Sequence, residues 1–139
     1  MTSPIIWQDA FDRAAAALKN DGIPVLDIFA QHADLSRLEC FVFFEIAAAT
    51  SDRMAVGETL YEEEGVIGLT LHVMRGTGAI EALSLRQKLS RAFLGPASDW
   101  PPGLLYDGQQ FDAPEQSAGN WTQFPLGIAY RFQILLQTG

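Results

Sequence analysis

The chain offers one cysteine and two histidines to thiol and imidazole chemistry across its 139 residues. A lone Cys40 excludes an internal disulfide framework. It lies in the apolar run LECFVFF, where a buried and unreactive thiol is expected, as suits a reducing compartment. His32 and His72 carry no recognisable Ser, Cys or acidic partner in a motif, so a nucleophile–base pair has little to build on. Basic residues are scarce too. Nine Lys and Arg stand against seventeen Asp and Glu, for a net charge of −8. The nine are scattered from Arg13 to Arg131, which disfavours a phosphate-binding surface. The aromatics fall at core spacing and not among basic residues, so a base-stacking platform is disfavoured as well. No apolar run nears the ~20 residues of a membrane span. The longest candidate, Phe41 to Ala49, is interrupted by Glu45, and the amino terminus lacks a basic-then-apolar leader. A soluble protein made in the cytoplasm is the expectation.

What is present fits one folded domain. Hydrophobic residues make up 48% and charged residues 19%, a balance that argues against disorder. Ser3-Pro4 is a helix start, and Trp7, Ala10, Phe11, Ala14 and Leu18 share one face of the helix that follows. Asn20-Asp21-Gly22 ends it, with Gly22 in the left-handed conformation. Ile23 to Arg37 reads mostly as connection. Leu38 to Ala49 reads as a strand apolar on both sides, either central in a sheet or meeting another subunit. From Ile67 the alternation Ile67, Leu69, Leu71, Val73 marks a half-buried antiparallel strand. Gly76-Thr77-Gly78 then turns into a helix through Phe93, with Ala82, Leu85, Leu89, Ala92 and Phe93 on its buried face. Arg86, Lys88 and Arg91 lie toward its carboxyl end, where cations complement the dipole. A short strand, Leu104 to Phe111, precedes a loop to Gly119, and Phe124 to Leu136 alternates strictly as the last strand. The order α-β-β-α-β-β predicts an α+β domain, a mainly antiparallel sheet with two helices packed on one face.

The candidate chemistry is weak. Glu62, Glu63 and Glu64 are an obvious cation site, yet consecutive carboxylates in an extended segment point to opposite sides. The GTG turn lacks the further glycine of a dinucleotide fingerprint, because Glu81 occupies that place, and there is no P-loop lysine. Thr77 reads as a helix cap. Cys40 and His72 could meet across the sheet, and Trp100 and Trp121 could line a pocket, although packing or contact with a partner protein suits the tryptophans better. No enzyme, metal or cofactor is expected.

The segments YEEEGVIGLTLHVMRGTGAIEA, LRQKLSRAFLGP, LLYDGQQF and NWTQFPLGIAYRFQI together resemble the small tail terminator proteins of long-tailed phages and gene transfer agents. The likeness covers about Tyr61 to Ile134 and consists of element order and turns; Pro24 to Leu38 departs from the family pattern. It implies a homo-hexameric ring in the virion, at the head-proximal end of the tail tube, assembled in the bacterial cytoplasm. The ring would stop polymerisation of the major tail tube protein and offer a joint to the connector or stopper protein of the neck. DNA would pass through the lumen without specific binding; six copies at −8 carry −48, which suits sliding phosphates. Subunit or tube contacts are expected at Glu62, Glu63, Glu64, Phe41, Phe43 and Trp100. Alternatives are another neck component, or a small-ligand-binding or enzymatic domain using His72, Cys40 and the glutamates.

Overall fold

The computed structural model describes residues 3–27, 39–53, 60–74, 76–116 and 120–135. The first helix, α1 (Pro4–Ala17), starts with proline in its first turn, where the missing N–H costs nothing. Ile6, Ala10, Ala14 and Leu18 recur every four residues and are fully buried. Trp7 stacks on Phe11 at 4.9 Å, and both rings stand edge-on to Phe44, at 5.3 and 5.4 Å. A 3-10 turn over Lys19–Asp21 follows, and Gly22 closes it at φ 69° as expected.

Three long strands form the body of the sheet: β2 (Cys40–Arg53), β3 (Leu60–Met74) and β6 (Trp121–Leu135). Two short strands, β1 (Val25–Leu26) and β5 (Glu115–Gln116), and the eight-residue β4 (Leu104–Phe111) complete it. The sheet runs β1-β2-β3-β6-β4, with β5 also on β6. All pairs are antiparallel except β1 with β2, so the sheet is mainly antiparallel. The second helix, α2 (Ala79–Arg91), crosses between β3 and β4.

Both helices lie on one face. Their buried residues join Val42 and Phe44 of β2, Ile67 to Val73 of β3, Leu104 and Tyr106 of β4, and Phe124 to Tyr130 of β6 in a single core. The α+β class with two helices on a mainly antiparallel sheet therefore stands. Several finer readings change. Of the two readings of the strand from Leu38, the central one falls, since among the described residues only the two-residue β1 lies outside it; contact with another subunit remains a proposal. β3 begins at Leu60, not Ile67, and takes in all three glutamates. Arg86, placed with Lys88 and Arg91 toward the carboxyl end of the helix, is buried, because it sits on the same helical stripe as Ala82, Leu89 and Phe93. Its Nη1 donates to the carbonyls of Asp112 and Pro125 at 2.8 and 3.0 Å, while the guanidinium lies over Phe111 and Phe124. Thr77 is not the cap; Gly78 holds that position with no side-chain bond, and Gly76 takes the positive φ of the turn, 97°.

Candidate interaction surface

Register assigns every strand residue to a face. On the face away from the helices, Phe41, Phe43 and Glu45 of β2 oppose His72, Thr70 and Gly68 of β3, which in turn oppose Gln123, Pro125 and Gly127 of β6. At one end His72 stacks on Phe41 at 4.4 Å and Trp121 stands edge-on to Phe41 at 5.0 Å. This leaves Phe41 buried within its own chain and Phe43 only half-buried. In the middle the floor is low. A Cβ on Gly68 would come within 3.1 Å of Glu45 Cγ, so the glutamate stem lies across that glycine. Gly127, Ala129, Gly108 and the exposed Val66 border a shallow depression of about 240 Å³.

The other end is charged. Glu62 and Glu64, two residues apart, share this face, and β-strand alternation sends Glu63 to the opposite one. The Glu62 side chain hydrogen-bonds Glu64 and holds its carboxyl above the usual range; Arg131 nearby opposes that shift. Arg131 itself pairs with Asp107 at 2.7 Å. Glu62, Arg131, Trp100, Pro101 and Pro102 line a concavity of about 340 Å³. The structure thus brings Glu62 and Trp100 to one site, with Glu64 beside it and Phe41 and Phe43 at the far end of the sheet.

Glu63 is the exception. It is 1% exposed, and its Oε1 accepts from the Ser3 N–H at 3.2 Å and the Ser3 hydroxyl at 2.9 Å. Oε2 accepts from the Tyr130 hydroxyl at 2.7 Å. The carboxylate sits at the amino end of α1, where negative charge is favoured, and Ser3 is the N-cap residue whose hydroxyl serves Glu63 instead of the helix. Its expected role as a subunit or tube contact is corrected to an internal anchor.

Trp100 belongs to a second cluster. Its ring stands edge-on to Tyr106 at 5.4 Å, Phe93 packs the same way at 5.0 Å, and the Arg13 guanidinium lies 5.6 Å from the Tyr106 centroid. Asp9 accepts from the Tyr106 hydroxyl at 2.5 Å and from Arg13 Nε at 2.7 Å. Arg13 reaches on to the carbonyl of Asp99 at 2.8 Å. Burial, with Asp9 adding to it, pushes the Tyr106 phenol well up, so it stays a neutral donor. The indole N–H of Trp100 is buried without a partner among the described residues.

Cys40 and His72 do not meet across the sheet. Cys40 opposes Val73 and turns toward the helices, whereas His72 opposes Phe41 and lies on the other face. Cys40 borders a concavity of about 480 Å³ with Asp21, Glu39 and Glu81; burial and the nearby carboxylates push its thiol up to about 11, so it is a poor nucleophile. His32 lies outside the described residues.

No protein-family model matches the sequence, and no curated protein matches it. Thirty chains of solved structures match. One of them, a protein of no stated function, superposes with a TM-score of 0.64 at 16% identity, covering 99% of each chain. At that identity the likeness is one of fold.

Proposed function

We propose that this chain is a structural assembly protein of the tail terminator kind. In this reading it forms a ring, of six copies in the resembled family, on the head-proximal end of a phage-like tail tube. The ring halts addition of tube protein and presents its other side to the connector or stopper protein, with DNA passing through the lumen. The observation that carries the reading is the one-sided layering of the sheet. With both helices on one face, the other keeps half-buried aromatics, a low floor of Gly68, Gly127 and Ala129, and an acidic end at Glu62 and Glu64. Apolar patches rimmed by charge are how protein–protein surfaces are composed. A net charge of −8 per copy suits a passage that must not hold phosphate.

Electron microscopy of the purified protein mixed with polymerising tail tube protein tests it. Tubes of bounded length with a ring at one end are the expected result. Tubes that lengthen as without it refute the terminator role. A ring that binds the head connector but ignores tubes assigns the chain to a different neck component.

A further inference from the structure

The sheet is asymmetric at its edges. On β6, residues 126–132 are paired by β4, and the rows beyond, at Thr122 and Gln123, are paired by β5. Carried across β3 to β2, the same rows are Phe44 to Ser51. There the described residues place no partner strand; β1 occupies only the next rows, Val42 and Phe43. The stretch of β2 that is unpaired among the described residues thus has the same height and length as β4, and it begins where β1 ends. The outer side of β4 is likewise unpaired among the described residues, and it carries the exposed Leu105 and Phe111 with no lysine or proline to blunt it.

Direction agrees as well. β2 runs antiparallel to β3, β3 to β6, and β6 to β4, so β4 runs antiparallel to β2. A neighbouring copy in the same orientation therefore offers its β4 in the sense an antiparallel ladder requires. Each edge has one irregularity, between Ile46 and Ala48 on β2 and between Tyr106 and Gly108 on β4. The two fall in adjacent rows of the sheet, so bulge meets bulge and the ladder resumes on either side.

We propose that β4 of one copy adds to the edge of β2 in the next copy, along Phe44 to Ser51 beside β1, so that the sheet continues from subunit to subunit. This rests on the reading of the chain as a ring and assigns the surfaces that join it. Two different edges meeting head to tail close into a ring when the rotation permits, whereas like edges meeting give only a dimer. Main-chain bonds supply the attraction and the matched height supplies the register.

Cysteine cross-linking decides it. With rows kept level, Thr50 of one copy faces Leu105 of the next, within disulfide reach. In a Cys40→Ala background, Thr50→Cys with Leu105→Cys, oxidised with diamide, is expected to give a ladder of covalent multimers larger than dimers; Asp52→Cys with Leu105→Cys tests a register two residues away. Leu105→Lys is expected to abolish multimers in size-exclusion chromatography while leaving the circular dichroism unchanged. A dimer from Leu105→Cys alone means that β4 pairs with β4 and overturns the proposal. Rings that survive Leu105→Lys and cross-link at neither register overturn the edge pairing but leave the ring. A protein that stays monomeric at every concentration, alone and with tail tube protein, removes the ring itself.

Discussion

Three consecutive glutamates are chemically alike, yet removing the middle one should cost far more than removing either neighbour. Glu63→Ala deletes the acceptor of three hydrogen bonds, from the Ser3 N–H, the Ser3 hydroxyl and the Tyr130 hydroxyl. Bonds to a charged acceptor contribute about 1.5–3 kcal/mol each, but the two Ser3 donors are only part-buried and recover water. The Tyr130 hydroxyl is buried and does not. Loss of the favourable charge at the start of α1 adds up to about 1 kcal/mol, while the desolvation of the carboxylate, relieved in the variant, subtracts. A net loss of about 3–4 kcal/mol follows. In a domain of this size each kcal/mol moves Tm by roughly 3–4 °C, so a fall of about 10–15 °C is expected by circular dichroism. Glu63→Gln should lose only about 1 kcal/mol, since its amide oxygen still accepts from Ser3 and its NH2 turns to the tyrosine oxygen. Glu62→Ala and Glu64→Ala should stay within about 0.5 kcal/mol of the parent. Tyr130→Phe combined with Glu63→Ala should be less destabilising than the sum of the two. If Glu63→Ala melts within error of Glu62→Ala, the anchor does not exist.

Arg86→Met, which keeps volume but strips both carbonyl bonds, should cost about 2 kcal/mol by urea denaturation, and Arg86→Lys should not restore it because the stacking on Phe111 and Phe124 needs a planar cation. Burial lowers the folded pKa of His72. The unfolded chain therefore binds its proton first, and the His72 contribution to stability, complete above about pH 6.5, is lost as pH falls; His72→Gln should flatten that slope. Cys40, with a thiol near 11, should react with iodoacetamide at pH 8 far more slowly than in urea, at a rate that climbs with pH. Its folded pKa lies above the unfolded value, so stability should fall between about pH 9 and 11, a fall missing in Cys40→Ala. Glu62→Lys with Glu64→Lys should change assembly, read by sedimentation, and leave Tm near that of the parent; a lowered Tm with unchanged assembly would falsify the interface assignment of these two residues.

Much of the fold was legible because periodicity reports packing directly. The four-residue spacing on α1, the strict alternation of β6, the bounds of β4 and the left-handed Gly22 all carry local signals. The burial of Glu63 carried one too. Running the phase of Ile67, Leu69 and Leu71 backward by twos lands on Gly65 and Glu63, the inward face. Charge does not end the strand there, because a tyrosine and a helix start close by satisfy the carboxylate. Arg86 repeats the lesson on a helix, since the Ala82–Leu89 stripe passes through it. No local pattern marks β1, two residues paired only because β2 has an edge to offer. The Trp100 cluster is equally silent in sequence: Asp9, Arg13, Phe93 and Tyr106 meet only after folding.

The same alternation gives the acidic run two separate jobs. Pointing inward, Glu63 fastens the start of α1 to β3 and so fixes the helix layer on the sheet. Pointing outward, Glu62 and Glu64 extend from a strand whose position that anchor has already set, near Arg131 on β6 and Asp107 on β4 beyond it. Charge on the outer face can therefore vary without unfolding the protein, because the carboxylate that folding needs is on the other side. A surface for docking can be tuned most freely on a strand held from behind in this way. The proposed intersubunit sheet uses that freedom directly, since Thr50, Glu64, Arg131 and Leu105 stand in one row that ends on β2 at one side and β4 at the other.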